Sequence, residues 1–456
     1  MSKITSHNQP EKDKRRDTGV PHPSSFILHP SSFSHGYTPP PDKSITIRAL
    51  LLAAITGGNT RVDNPLLCED TQAVVRCLKA LGVKLRRDGN AIIVEGRGLK
   101  GLKKPDSEIN VGESGALSRL LAGILAGQDF PSVITGRGSL LKRPMETLAA
   151  ALKKLGAGIK TKNGRLPLSI KPAALSGCKI SGVESAQIKS ALLLAGLYAV
   201  GPLEIKEKIP TRDHTERMLV LLGARLIKQG PRIKLEPGPL TASVATKKLC
   251  NTRPLTVPGD ISSAAPFIAA ALFSGRALKI NSCGLNPTRL GFITALRKMG
   301  AVLNLKVVEA FPEPYGEIEI LPSVLKARAV RAAEMPAMID EAPLLALMAA
   351  RARGITVISG IESLRAKESD RIESALALLA SLGVKASYKD GSMKITGRPV
   401  FSAVKPVETF GDHRIAMAAA VASLVCPGLK IKNPGCVNKS YPGFWKDFRK
   451  VFTATC

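Results

Sequence analysis

The sequence lacks the short signatures of the commonest catalytic chemistries. It has no HExxH, no GxSxG and no Walker A run; GESGALSR, at residues 112–119, lacks the lysine that a P-loop places after its glycines. No serine has a visible base partner for nucleophilic catalysis. The cysteines are Cys68, Cys77, Cys178, Cys250, Cys283, Cys426, Cys436 and Cys456, with no CxxC and no ligand cluster at zinc spacing. They read as scattered thiols of a reducing compartment, and no metal site is expected. No secretory signal is visible. The longest uncharged apolar stretch, IAMAAAVASLVCPGL at 415–429, falls short of the roughly 20 residues a membrane span needs. A soluble cytoplasmic protein is the expectation. Aromatic residues are scarce, at 4%. Acidic residues are also in short supply: Asp plus Glu is 36 against 66 for Lys plus Arg, a net charge of +30. Such an imbalance favours anionic partners without distinguishing small phosphates, nucleic acid or membrane lipid.

What the chain does have is length and repetition. Its 456 residues, 44% apolar, allow at least two cored domains. Forty glycines and thirty-two prolines predict many short elements and tight turns. Residues 1–41, in which HPSSF occurs twice among Pro and Ser, have no helical or strand period. They read as an N-terminal tail, either poorly ordered or the first strand of a second domain. From residue 42 on, helices and strands alternate, and a repeat emerges. LKALG begins at 78, LKKLG at 152, LVLLG at 219, LRKMG at 296 and LASLG at 379. Each reads as the end of an amphipathic helix, a C-capping glycine and a short strand that often continues through a polar turn. One copy would mean little; five predict a multiply repeated α+β unit. A sixth unit without the motif is expected near 186–200 or 343–360. Pro144 and Pro287 suit the first position of a helix. The polar stretch before GDISSAA puts a domain junction near 250–260, giving domain one as 42–257 and domain two as 258–456.

Cations recur at helix entrances. Lys43, Ser44 and Arg48 open an apolar run in DKSITIRALLLAA, either as a solvated helix start or as an anion seat. Arg119 follows Gly112, Ser114 and Gly115, where exposed backbone N–H groups suit an anion. Arg143 precedes Pro144; Arg212, Arg371, Arg414 and Lys439 occupy comparable places. Any one of them alone would read as a surface cation. Acids stand beside them: Asp260, Asp340, Glu341, Glu368 and Asp370. N-capping alone would account for Asp260 and Asp370. Lys367, Glu368 and Arg371 form one charged run, in which a carboxylate held among cations stays ionised yet available for proton transfer. His214 and His413 are the only histidines in comparable contexts.

Taken in order, DKSITIR, GESGALSR, KRPM, SAQIKSALLLAG, TRDHTERML, GDISSAA, IDEAP, LRAKESDRI, GDHRIAM and NPGCVNKSYPGFW span about residues 42–446. This set resembles the 5-enolpyruvylshikimate-3-phosphate synthase family, in its divergent bacterial branch. The resemblance implies two similar globular domains, each of three βαβαββ units around a pseudo-threefold axis, with the active site in the cleft between them. It implies transfer of the enolpyruvyl group of phosphoenolpyruvate to the 5-hydroxyl of shikimate-3-phosphate, releasing phosphate by addition and elimination, with no metal and no organic cofactor. Carried onto this chain, Lys43 would touch both substrates. Ser44, Arg48, Ser185, Ala186, Gln187, Thr211, Arg212, Asp340 and Lys367 would hold shikimate-3-phosphate. Gly115, Arg143, Gln187, Arg371, Arg414 and Lys439 would hold phosphoenolpyruvate. Lys43, Asp340 and Glu368 would share the proton transfers, Glu368 beside the phosphoenolpyruvate methylene. The chain departs from the family in PPDKS, in Ile47, and in Glu113 and Ala116, where Asn and Thr are usual. Glu113 must either point away from the substrate phosphate or pair with a cation.

Three other readings compete. A sister transferase acting on UDP-N-acetylglucosamine carries a loop cysteine where ITGRGSLLKRPM has none. An RNA-end-processing cyclase shares the repeated unit but needs a nucleotidylated histidine. A basic nucleic-acid-binding scaffold would spread its charge over an outer face, whereas a transferase would focus it in a cleft. Small anionic substrates are the expected partners, with glyphosate as an inhibitor; nucleic acid and membrane are not, and a monomer is expected.

Overall fold

The computed structural model describes residues 36–241 and 254–452; the expectation of a tail over most of residues 1–41 lies outside the described residues. Three units share the first core. The first runs α1 (Lys43–Ile55), strand Thr56–Asp63, α2 (Glu69–Ala80) and the hairpin Lys84–Asp88/Ala91–Arg97. The second runs strand Ile109–Asn110, α3 (Gly115–Leu125), strand Ser132–Thr135, α4 (Glu146–Lys153) and the hairpin Gly158–Lys162/Arg165–Lys171. The third runs strand Lys179–Val183, α5 (Ala186–Gly196), strand Leu203–Glu207, α6 (His214–Leu221) and the hairpin Leu226–Gln229/Arg232–Leu235. Each sheet pairs its two crossover strands in parallel and closes with the hairpin; in the first, Leu240–Thr241 and Leu255–Thr256 supply the parallel partners of Thr56–Asp63. One hydrophobic cluster, from Ile45 to Val257, serves all three units.

The second core repeats the plan. Strand Gly36–Tyr37 pairs in parallel with Leu278–Gly284, which follows α7 (Ile261–Ser274) and precedes α8 (Gly291–Lys298) and the hairpin Val302–Glu309/Tyr315–Leu321. Tyr37 stacks on Phe267 with ring centroids 3.8 Å apart, and its hydroxyl meets that of Tyr441 at 2.8 Å. The next unit holds strand Ala329–Val330, α9 (Ala342–Arg351), strand Ile355–Ser359, α10 (Arg371–Ser381) and the hairpin Ala386–Lys389/Ser392–Thr396. The last holds strand Val407–Glu408, α11 (His413–Ser423), strand Ile431–Lys432 and α12 (Phe444–Phe452). Among the described residues, then, this sixth unit reads βαβα, without the hairpin. It is not where the sequence placed it: 186–200 and 343–360 contribute the first helices of units that already carry LxxLG. The second hydrophobic cluster holds Tyr37 and residues from Ile261 to Phe452.

The five LxxLG glycines, Gly82, Gly156, Gly223, Gly300 and Gly383, all have positive φ and lie between a helix and the strand that follows. A left-handed residue there ends the helix and turns the chain back onto the sheet, which glycine does at no steric cost. Proline behaves differently at its two sites. Pro287 opens a 3₁₀ turn, Pro287–Arg289, but Pro144 sits outside α4, whose N-cap is Met145. The helices α1, α7 and α11 are buried along nearly their whole length, which explains their continuous apolar sequences.

The chain crosses between the two cores at adjacent points. Asp42 N donates to Pro258 O and Asp260 N to Pro40 O, each at 2.8 Å, and Pro41 bridges Gly259. No helix among the described residues is long and apolar enough to cross a membrane.

Candidate active site

Helix starts from both cores face one another across a cavity of about 400 Å³. The first core presents α1, α3 and α5; the second presents α7, α10 and α11. Each start carries a side-chain cap. Asp42 Oδ1 accepts from Ile45 N at 2.8 Å, Asp260 Oδ1 from Ser262 N at 2.9 Å, and Asp412 Oδ1 from Arg414 N at 2.9 Å. Ser114, Ser185 and Asp370 cap α3, α5 and α10 in the same way. Capping satisfies one donor per helix, two in α10; the remaining free N–H groups and the helix dipoles leave these ends electropositive.

Among the residues singled out from the sequence, Lys43, Ser44, Gly115, Arg143, Ser185, Gln187, Arg212, Asp340, Lys367, Glu368, Arg371 and Arg414 line this cavity. Arg48, Ala186, Thr211 and Lys439 are not on its wall, but each touches or adjoins a residue that is. Arg48 is buried one turn into α1. Its Nη1 donates to Ser44 O and Oγ, its Nε to Thr215 Oγ1 at 3.0 Å and its Nη2 to Ser190 Oγ at 3.3 Å. It pairs with no carboxylate among the described residues, and burial, with Arg212 nearby, pulls its pKa down to about 10. A buried guanidinium held only by neutral oxygens favours an arriving anion. Ala186 begins α5 between Ser185 and Gln187. Thr211 donates through both N and Oγ1 to Glu207, and Glu207 pairs with the fully buried Lys189 at 2.9 Å, so the loop bearing Arg212 is fixed from behind.

Carboxylates already neutralise most of the wall cations. Arg371, 2% exposed, meets Asp412 at 2.8 Å through Nε, Glu368 at 2.7 Å through Nη2 and Asp340 at 3.5 Å through Nη1. Glu368 also meets Arg143 at 3.3 Å. Burial alone would raise the Glu368 pKa, but Arg371 and Arg143 hold it well below the ordinary carboxylate range. Asp340 takes Arg212 at 2.5 Å and Lys367 at 3.8 Å; burial opposes its ionisation, and Arg212, Lys367, Arg414 and Arg371 override burial. Burial would lower Lys43, yet Asp70 at 3.0 Å, with Cys68 and Glu368 beyond, reverses this and keeps it an ammonium. Lys439 meets Glu113 at 3.0 Å, so the unusual acid is paired with a cation. Among the described residues Arg119 donates only to the carbonyls of Gly115 and Pro144; burial and Arg143 pull it down to about 10. Arg414 Nη1 donates to Ser262 O at 2.9 Å.

Several functional neighbours escaped the sequence reading. Asp70 and Asp412 look like ordinary helix-start acids, and only the fold puts them on Lys43 and Arg371. Arg289, in NPTRLG, is buried at the joint between the cores. It spans Asp42 at 3.2 Å and Asp260 at 3.5 Å, and donates to Ser262 Oγ at 2.6 Å. Burial and the neighbouring Asp42 raise Asp260 to about 7; burial opposes ionisation of Asp42 too, but Arg289 wins there and brings it to about 2. The pair therefore takes up one proton near neutrality. His413 lines the cavity but is 2% exposed, and burial, then Arg414, push it well below its ordinary value. A buried neutral imidazole is poorly placed for nucleotidylation. Among the described residues no group of three or more His, Cys, Asp or Glu could hold a metal ion, and the six described cysteines are free thiols.

Two cored halves of repeated α/β units, with opposed helix starts gathering cations around one cleft, define a two-core α/β protein whose cleft has the charge to suit small, multiply charged anions. Comparison with known proteins narrows the class. The model of the family described as EPSP synthase (3-phosphoshikimate 1-carboxyvinyltransferase) matches residues 30–448. A 3-phosphoshikimate 1-carboxyvinyltransferase of Limosilactobacillus fermentum is 42% identical over 417 residues, covering 90% of this chain and 95% of its own. One from Thermus thermophilus is 42% identical over 425 residues, covering 91% and 96%. The solved EPSP synthase of Acinetobacter baumannii superimposes with a TM-score of 0.76 at 36% identity, covering 92% of this chain and 96% of that one. The chain belongs to the EPSP synthase family.

Proposed function

We propose that the protein catalyses transfer of the enolpyruvyl group from phosphoenolpyruvate to the 5-hydroxyl of shikimate-3-phosphate, releasing phosphate, in the shikimate pathway to aromatic amino acids. The observation that carries this reading is a single cavity walled by Arg143 from one core and Arg371 and Arg414 from the other, in a chain whose full-length relatives are carboxyvinyltransferases. At least three anionic groups would meet there, which is what opposed, cation-bearing helix starts favour.

On this reading Ser44, Arg48, Ser185, Gln187, Thr211, Arg212 and Lys367, with the Ala186 N–H, hold shikimate-3-phosphate. Gly115, Arg143, Gln187, Arg371, Arg414 and Lys439 hold phosphoenolpyruvate, and Lys43 touches both. In addition, C3 of phosphoenolpyruvate gains a proton while the 5-oxygen bonds to C2 and gives up its own proton. In elimination, C3 loses a proton and the C2–O bond to phosphate breaks. Glu368 handles the C3 proton and Asp340 the hydroxyl proton. Both are ionised in the empty cleft. Substrate anions that draw off Arg143, Arg371, Arg212 and Lys367 raise both carboxylates toward useful basicity and let Glu368 carry a proton. Lys43, held as an ammonium by Asp70, acts as an electrostatic clamp rather than the base. The reaction needs no cofactor. Residues 42–257, and 258–456 with the strand Gly36–Tyr37, serve as the two domains that close on the substrates. The enzyme works in the cytoplasm as a monomer, with glyphosate competing for the phosphoenolpyruvate half.

Phosphate release measured with both substrates, each alone, and UDP-N-acetylglucosamine as alternative acceptor tests the reading. Release should require phosphoenolpyruvate and shikimate-3-phosphate together. Comparable turnover of the nucleotide sugar would overturn it.

A further inference from the structure

The loop before α3 carries an acid that contacts both halves of the molecule. Glu113 lines the cleft from the first core, and its Oε2 meets Lys439 Nζ of the second core at 3.0 Å. The same oxygen accepts from Ser139 Oγ at 2.8 Å and Ser139 N at 3.2 Å. Ser139 belongs to the 3₁₀ turn Gly138–Lys142, which ends at Arg143, and its Oγ lies 3.5 Å from Arg143 Nη2. The seat is shaped for the carboxylate: Gly138 has φ +57°, and a Cβ there would come within 2.5 Å of the Glu113 carboxyl group. Lys439 has no other carboxylate partner among the described residues, and its side chain is 14% exposed.

We propose that Glu113 is a built-in counter-anion for Lys439, occupying in the empty cleft the position an incoming phosphoenolpyruvate anion takes on that ammonium, and so setting the affinity for this substrate. The inference rests on the functional reading above. It makes Glu113 a specificity-determining residue for the anion rather than a catalytic one. When Lys439 turns to the ligand, Glu113 keeps its two hydrogen bonds to Ser139, so the turn carrying Arg143 stays in place. The substrate gains only the difference between two charge-assisted contacts on Lys439. Removing the carboxylate's charge leaves the ammonium free for the ligand alone. The pair is partly exposed, so solvent screening limits the gain to roughly three- to tenfold in affinity.

The test is a double-mutant cycle in steady-state kinetics, with phosphoenolpyruvate varied at saturating shikimate-3-phosphate. Glu113→Gln should lower KM for phosphoenolpyruvate roughly three- to tenfold and leave KM for shikimate-3-phosphate unchanged. The gain should shrink at high ionic strength, where the competing ion pair is screened in the wild type. In a Lys439→Met background, Glu113→Gln should change nothing further. Glu113→Asp, too short by a methylene to hold both Ser139 and Lys439, should shift KM part of the way and serves if the glutamine variant folds poorly. A raised or unchanged KM in Glu113→Gln, or an equal effect with Met at 439, overturns the proposal. Wild-type protein that releases no phosphate from the two substrates would instead overturn the functional reading.

Discussion

Glu368→Gln separates chemistry from binding. The carboxylate holds Arg371 at 2.7 Å and Arg143 at 3.3 Å. The amide keeps its shape but removes its charge and its ability to take up and release a proton. Arg371 retains Asp412 at 2.8 Å and Asp340 at 3.5 Å, so it is not left as an uncompensated buried charge. Arg143 loses its carboxylate but lines the cleft and keeps Ser139 within reach. The stability cost should therefore be that of lost charge-assisted hydrogen bonds, about 1.5–3 kcal/mol, and not the 3–5 kcal/mol of breaking a buried pair. The rate should suffer far more. Loss of a general acid and base costs kcat roughly 10²–10⁴-fold. Affinity for phosphoenolpyruvate should hold or rise, because both arginines are freed for its anions. Rapid-quench single turnover, with hydrogen isotope incorporation at C3 followed in the same reaction, reads the two effects apart. Near-normal single-turnover chemistry with intact exchange at C3 would refute the role. So would a loss of activity explained by weaker binding of shikimate-3-phosphate.

Other consequences follow from the same geometry. Gly115→Ala places a Cβ 2.8 Å from Arg143 Nη1 and 2.9 Å from Arg119 Nη1, so both guanidiniums must move; KM for phosphoenolpyruvate should rise about tenfold, the equivalent of about 1.4 kcal/mol, with stability little changed, and an unchanged KM would show that Arg143 does not hold this substrate. Asp260 is raised from 3.8 to about 7, so the folded state binds the extra proton between those values and stability falls as pH rises across that window. Asp260→Asn removes this term, and its melting temperature relative to wild type should improve between pH 5 and pH 8; parallel curves would refute the assignment. Lys189→Met takes from the buried Glu207 and Glu216 the ammonium 2.9 and 2.6 Å away and leaves them Lys228 at 3.9 and 3.7 Å; it should cost at most about 3–5 kcal/mol in denaturant unfolding, and a loss under 1 kcal/mol would count against it.

The repeat was legible because a helix that must turn back onto its own sheet needs a left-handed residue, and glycine marks that place in the sequence. Five units were visible for that reason. The sixth was not, since its second helix, α12, lacks the LxxLG ending and no hairpin follows it among the described residues. For residues 1–41 the sequence left a poorly ordered tail and a first strand of the second domain as alternatives, because a two-residue strand carries no period; Gly36–Tyr37 finds its partners at Lys279 and Ile280. In the site, cations at helix starts stood out because apolar helices rarely open on charge. Asp340 and Glu368 stood out with them, but other counter-ions did not. Asp42, Asp260 and Asp412 each satisfy the rule for an N-cap, and nothing local distinguishes a cap that also holds a buried arginine. Arg289 reads as part of a proline turn until the fold buries it between two aspartates. The wall of the cleft was therefore visible from one strand of text, but its charge balance depended on residues brought together from far apart.

The strand Gly36–Tyr37 belongs to the second core yet precedes all of the first. During synthesis the ribosome thus delivers one edge of the second core before any of the first core exists. That edge must wait while α1 to α6 emerge, because its partner strand, Leu278–Gly284, follows the whole of the first core. The half of the molecule that begins first is finished last.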